Sequence, residues 1–270
     1  MCELLGMSAN VPTDICFSFT SLIKRGGDKG PHKDGWGITF YEGKGCRTFK
    51  DPQPCSFSPI AKLVQQYPIK STAVVAHIRQ ANRGGVALEN THPFTRELWG
   101  KNWTFAHNGQ LTDYEKLDTG IFQPVGLTDS EYAFCYLINE LHKKYPQQPT
   151  NDIELFEYIR ECAIKLTQLG IFNMLLSDGE YVFAYCSTNL HWITRKAPFG
   201  KAKLIDEDVE IDFQKHTTPN DVVTIISTMP LTSNEIWTKL ASGEAILFKN
   251  GEILANLSHL DLSHRWLVFE

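Results

Sequence analysis

Hydrophobic positions along the chain fall into two periods. In TDICFSFTSLIKRGG, Ile15, Phe19, Leu22 and Ile23 share one face at helical spacing, with Thr13 placed to cap the helix and Gly26 to stop it. SPIAKLVQQYP predicts a short helix between Ser58 and Pro68. TDSEYAFCYLINELHKKYP carries a capping-box signature, Thr128 to Glu131, ahead of Phe134, Leu137, Ile138 and Leu141. NDIELFEYIRECAIKLTQLG is a further amphipathic helix, closed by Gly170.

The other runs alternate or are briefly apolar, as strands do. GWGITFYEGKGCRTFK predicts two strands about a glycine-containing turn, and STAVVAHIRQ and WTFAHNG are strand-like with polar residues at their ends. IFNMLLSDGEYVFAYCS reads as a hairpin about Asp178-Gly179 and EAILFKNGEILA as another about Asn250-Gly251, with LHWITRK, VEIDF and DVVTIIST between them. Runs of strands joined by hairpin turns, interrupted by runs of helices, predict an α+β class: antiparallel sheets with helices on their faces, not βαβ units.

Length and composition narrow the function classes. A chain of 270 residues can bury one large core, and 42% hydrophobic with 21% charged residues describes an ordinary globular protein. The net charge of -5, with no Lys/Arg stripe, argues against a nucleic-acid partner. No apolar run is long enough to span a bilayer, and MCELLGMSAN lacks the basic and apolar regions of a secretory signal. The seven cysteines are odd in number and scattered, without CxxC, which suits free thiols in a reducing compartment, the cytoplasm by default. Neither H-E-x-x-H nor paired-cysteine spacing occurs, so no metal and no cofactor is expected.

Candidate chemistry concentrates in four short segments. Removing Met1 would leave Cys2 with a thiol and a free α-amine, a nucleophile with its own base; a chance cysteine at that position is the plain alternative. In AHNG, the Asn108 amide and the Gly109 N–H are suitable oxyanion donors, although Asn-Gly is also a common turn. Arg79, in HIRQAN, closes an apolar strand where a guanidinium needs an anion, either a salt-bridge partner or a ligand carboxylate. Asp129, in TDSE, precedes a helix, where it would serve as a cap or hold an ammonium group. Together a thiol, an oxyanion hole, a cation and an anion describe one ligand: an amino acid with a side-chain amide, such as glutamine or a γ-glutamyl amide.

The four segments resemble the motifs of the class II glutamine amidotransferases, within the N-terminal nucleophile hydrolases. Cys2, His77-Ile78-Arg79, His107-Asn108-Gly109 and Thr128-Asp129-Ser130-Glu131 stand in the family's order, and KDGWGITFY (33–41) and ENTHPF (89–94) resemble segments that line or support its site. The resemblance runs from Cys2 to about Gly251 and implies a four-layer αββα sandwich of two antiparallel sheets, the N-terminal nucleophile hydrolase fold. It implies Cys2 as nucleophile, an oxyanion hole at Asn108 and Gly109, Arg79 on the substrate carboxylate and Asp129 on its ammonium.

Where many members have Trp or Tyr and then Thr beside the carboxylate, this chain has Gln80 and Asn82, so specificity there departs from the pattern. The glycines of NRGGVALENTHPF (82–94) suit a flap over the site. Residues 2–251 are expected to form the amidotransferase domain, and 252–270, Trp266 included, an extension too short for an ammonia-consuming domain, suited to packing or a homo-oligomer contact. Hydrolysis of the γ-amide is the leading expectation. Delivery of ammonia to a separate synthase partner and a non-catalytic glutamine-sensing module are the alternatives.

Overall fold

The computed structural model describes residues 2–81 and 84–257. Its first strands are β1 (Glu3–Thr13), β2 (Trp36–Glu42), β3 (Gly45–Asp51), β4 (Ser71–Ile78), β5 (Phe94–Leu98), β6 (Lys101–Leu111), β7 (Gly170–Ser177) and β8 (Tyr181–Tyr185). They are followed by β9 (His191–Lys196), β10 (Lys201–Lys203), β11 (Glu210–Asp212), β12 (Val222–Ser227), β13 (Thr238–Lys239), β14 (Ala245–Lys249) and β15 (Glu252–Asn256). Among the described residues four α-helices intervene: α1 (Cys16–Arg25), α2 (Pro59–Gln66), α3 (Asp129–Lys144) and α4 (Asp152–Thr167).

Two antiparallel sheets carry the fold, one in the order β13-β9-β12-β1-β4-β2-β3 and the other β15-β14-β8-β7-β6-β5; β10 and β11 form a separate ribbon. Three apolar layers hold them. Leu4, Val75, Ala106, Leu175, Val182 and Ile226 fill the space between the sheets. Phe19, Leu22, Ala61 and Val64 of α1 and α2 pack on the outer face of the first sheet, against Leu5, Met7 and Ile38. Phe134, Leu137, Ile138, Leu155, Phe156 and Ile159 of α3 and α4 cover the second, against Phe105, Phe172 and Phe183. Helix, sheet, sheet, helix: the chain has the αββα sandwich of the N-terminal nucleophile hydrolases.

Local signals explain most elements. The Ser58 hydroxyl accepts the Ala61 N–H at 3.3 Å to start α2, and that of Thr128 accepts the Glu131 N–H at 3.2 Å to start α3. Asn250 and Gly251 both take positive φ, 52° and 77°, as a two-residue hairpin turn requires. Three expectations need correction. Thr13 is the last residue of β1, not a cap; the Asp14 side chain instead accepts the Cys16 N–H at 3.2 Å. Gly170 begins β7, and α4 ends at Thr167 with Gln168 as its C-cap. Asn108-Gly109 is no turn but lies inside β6. The hairpin about Asn250-Gly251 is present as expected, with β15 paired to β14.

The central strand β1 was not signalled by the alternation pattern, because Leu4–Ala9 are buried on both faces. Its antiparallel pairing sets Glu3 opposite Ile78 of β4 and Leu5 opposite Ser227 of β12. The start of β1 therefore lies beside the ends of β4 and β12. In the other sheet, the pairing of Asn108 with Asn173 puts the end of β6 beside the start of β7.

Candidate active site

Cys2, the half-buried residue that leads into β1, is held from the end of β4. The Gln80 N–H donates to Cys2 Sγ at 3.3 Å, and the thiol donates back to the Gln80 carbonyl at 3.5 Å. Burial pushes the Cys2 thiol above its ordinary value, while the Gln80 N–H and the Arg79 charge pull it down. The KDGWG segment fixes this corner: the Arg79 N–H donates to the Gly35 carbonyl at 2.8 Å and the Ala81 N–H to Asp34 Oδ2 at 2.7 Å.

Arg79 is 3% exposed, and its guanidinium donates to the carbonyls of Gly85 at 3.0 Å and Gly84 at 3.1 Å. Burial lowers its pKa, and the nearby Cys2, Asp34 and Asp129 oppose that shift. The expected flap is tied down where it is described. Asn90 donates to the Gly85 carbonyl at 3.1 Å and accepts the Leu127 N–H at 2.8 Å. Asn82 lies outside the described residues.

Asp129 opens α3, but Thr128 does the capping; Asp129 Oδ2 accepts the Leu111 N–H at 2.7 Å, which joins α3 to the end of β6. His107 passes beneath Gly109. Its Nε2 lies 3.1 Å from the Ile171 carbonyl and its Nδ1 2.8 Å from the Ser130 hydroxyl. A carbonyl can only accept, so Nε2 carries the proton and Nδ1 accepts from Ser130. Burial keeps this ring neutral, lowering its pKa against the pull of Asp129. Position 109 must be glycine: a Cβ there would lie 1.8 Å from the Ile171 oxygen and 2.6 Å from His107 Nε2.

One cavity is walled by Cys2, Arg79, Gln80, Ala81, His92, His107, Gly109, Gln110, Thr128, Asp129 and Ser130. It thus joins Cys2, Arg79, Gln80, Gly109 and Asp129, drawn from both sheets and the start of α3. Asn108 stands behind the wall, with its Nδ2 donating to Thr228 Oγ1 at 3.3 Å; its Oδ1 is buried without a partner among the described residues. Thr228 Oγ1 also accepts the Leu4 N–H at 2.9 Å, so a single hydroxyl joins Asn108 to β1.

The model of the class II glutamine amidotransferases matches residues 1–265. The chain belongs to the class II glutamine amidotransferases. Among its relatives is the Escherichia coli (strain K12) protein named "Putative glutamine amidotransferase YafJ", 73% identical over 252 residues that cover 93% of this chain and 99% of the relative. A crystal structure titled "predicted glutamine amidotransferase from Pseudomonas aeruginosa PA01" is 49% identical, with a TM-score of 0.76, over 94% of this chain and 100% of that one. The glutamine phosphoribosylpyrophosphate amidotransferase of B. subtilis shares the fold at 15% identity and a TM-score of 0.60, over 96% of this chain and 50% of its own. The protein is therefore an enzyme of the glutamine amidotransferase type.

Within this amidotransferase, several wall residues had no role assigned from sequence. His92, His107 and Ser130 sit inside the quoted motifs HPF, HNG and TDSE, so the signal was there. His92 stacks on His77 with ring centroids 4.1 Å apart, and burial holds both well below the ordinary histidine value. Thr228 gave no signal, because only tertiary folding brings it to Asn108. No helix among the described residues is long and apolar enough to cross a membrane.

Proposed function

We propose that this amidotransferase hydrolyses the γ-amide of glutamine, or of a γ-glutamyl compound, through a thioester on Cys2. In this reading Met1 is removed, and the free α-amine of Cys2 accepts the thiol proton as Sγ attacks the carboxamide carbon. The raised thiol makes that base necessary, since little thiolate exists without it. Charge gathering on the carbonyl oxygen meets the Gly109 N–H and the second hydrogen of Asn108 Nδ2. The amine passes its proton to the departing nitrogen, which leaves as ammonia or an amine, and then deprotonates the water that releases glutamate.

Arg79 binds the substrate α-carboxylate, with Gln80 and Asn82 at its border, and Asp129 binds the α-ammonium. Residues 2–251 act as the amidotransferase domain, with 252–270 as an extension to it. The ammonia is released, or passes to a separate synthase partner. The observation that carries the reading is that Cys2, Arg79, Gly109 and Asp129 wall a single cavity.

The test is glutamate release from glutamine and γ-glutamyl dipeptides by wild type and Cys2→Ala. Turnover by wild type and none by the variant is expected. Glutamine binding without glutamate formation would overturn hydrolysis and leave a sensing module.

A further inference from the structure

We infer that Asn173, in β7 and outside the cavity wall, is a positioning residue for the oxyanion hole. It rests on the reading of Asn108 and Gly109 given above. Asn173 is 1% exposed, and its amide spends all its hydrogen-bonding capacity in two directions. On one side Oδ1 accepts three successive backbone N–H groups, from Ser187 and Thr188 at 2.9 Å and from Asn189 at 3.3 Å. On the other, Nδ2 donates to the Asn108 carbonyl at 2.9 Å, while its second hydrogen returns to the same segment at Thr188 Oγ1, 2.9 Å away.

The bond to the Asn108 carbonyl reaches the chemistry through a single peptide plane. The two cis peptides among the described residues are His92-Pro93 and Ala197-Pro198, so the 108–109 unit is trans. In a planar trans peptide the carbonyl of residue 108 and the N–H of residue 109 point in opposite directions, and anchoring one aims the other. The peptide is gripped behind by Asn173, and Gly109 forms part of the cavity wall in front. Donation to the carbonyl also polarises the amide, which strengthens its N–H as a donor.

The 187–189 turn supplies the rigid end of the lever. Three N–H groups fix Asn173 Oδ1, so the direction of Nδ2 is set by a backbone loop and not by side-chain chance. Thr228 plays the complementary part for the Asn108 side chain. Both donors of the hole are thereby oriented from outside the cavity.

The test compares Asn173→Asp, Asn173→Ala and Thr188→Val in the full chain, with kcat and KM for glutamine measured at about pH 8. Asn173→Asp keeps an acceptor for the turn and removes both Nδ2 donations, to the Asn108 carbonyl and to Thr188 Oγ1; Thr188→Val removes the second alone and serves as the control. It should lower kcat by about 10- to 100-fold, less than outright loss of an oxyanion donor, with KM within about twofold. An aldehyde analogue of glutamine, which forms a tetrahedral adduct on Cys2, should lose affinity in proportion to kcat/KM, while inhibition by glutamate stays unchanged. Thr188→Val, which loosens the turn and spares the donor, should keep kcat within about threefold of wild type.

If Asn173→Ala fails to fold, the aspartate variant decides alone. A folded Asn173→Asp with wild-type kcat, or a loss matched by Thr188→Val, overturns the inference. Wild type that releases no glutamate would instead overturn the reading on which it rests.

Discussion

Cys2 and Gln80 are joined by two hydrogen bonds, with Sγ accepting the Gln80 N–H at 3.3 Å and donating to the Gln80 carbonyl at 3.5 Å. A sulfur that donates to a carbonyl is a thiol, and burial raises its pKa above the ordinary 9.0. Two pH profiles should therefore separate. Alkylation of Cys2 by iodoacetamide without substrate should keep climbing above pH 9. The acid limb of kcat/KM for glutamine should level off where the α-amine titrates, at about 7.7–8.0. A shared midpoint near 8 in both profiles would mean that the thiol itself titrates there.

Arg79 donates to the carbonyls of Gly84 and Gly85, so removing it loosens the segment 84–85 as well as the proposed carboxylate contact. Arg79→Ala should raise KM roughly 10- to 150-fold, the worth of a charge-assisted pair of about 1.5–3 kcal/mol, with a smaller change in kcat. Arg79→Lys keeps the charge without the planar fork and should recover only part of the loss. Steady-state kinetics check both; an unchanged KM would remove Arg79 from substrate binding.

Gly109→Ala drives a methyl group into the Ile171 carbonyl and the His107 ring, at 1.8 and 2.6 Å before any relaxation. Either β6 separates from β7 at this point or the His107–Ile171 bond breaks, and both displace the 109 N–H. We expect kcat to fall by at least about 100-fold and the melting temperature to drop. A stable, active alanine variant would remove the oxyanion role from this strand.

His77, His92 and His107 are all buried and all held below the ordinary 6.5. Below that pH the unfolded chain binds protons that the folded chain excludes. The stability they contribute is therefore complete above about pH 6.5 and is lost as pH falls toward the lower folded values. The slope is up to about 1.4 kcal/mol per pH unit for each ring. Urea unfolding from about pH 7.5 down to 5 measures it, and His92→Phe should make the curve shallower. Stability that stays flat over that range would contradict the neutral stack.

Local chemistry was legible before folding. The hairpins at Asp178-Gly179 and Asn250-Gly251, the Thr128 cap and the apolar faces of α3 and α4 all depend on neighbours within a few residues. β1 was not, because a strand buried on both faces shows no alternation, and Ser8 and Pro12 do not advertise a strand. The site was legible as a set of residue types, since thiol, guanidinium, carboxylate and H-N-G each belong to one step of amide chemistry. What supports them was not: Thr228 on Asn108, Ile171 on His107 and Asn173 behind the 108–109 peptide come together only when the strands pair. The same pairing explains why Asn108-Gly109, turn-like in sequence, runs straight through β6.

The central claim is that Cys2, freed of Met1, is the nucleophile. Its most direct test is the intact mass of active enzyme before and after reaction with a glutamine analogue bearing an electrophilic ketone in place of the amide. The account predicts a starting mass without methionine, one adduct per chain on Cys2, and activity lost in step with labelling. Active enzyme that retains Met1, or an adduct on another residue, would contradict it.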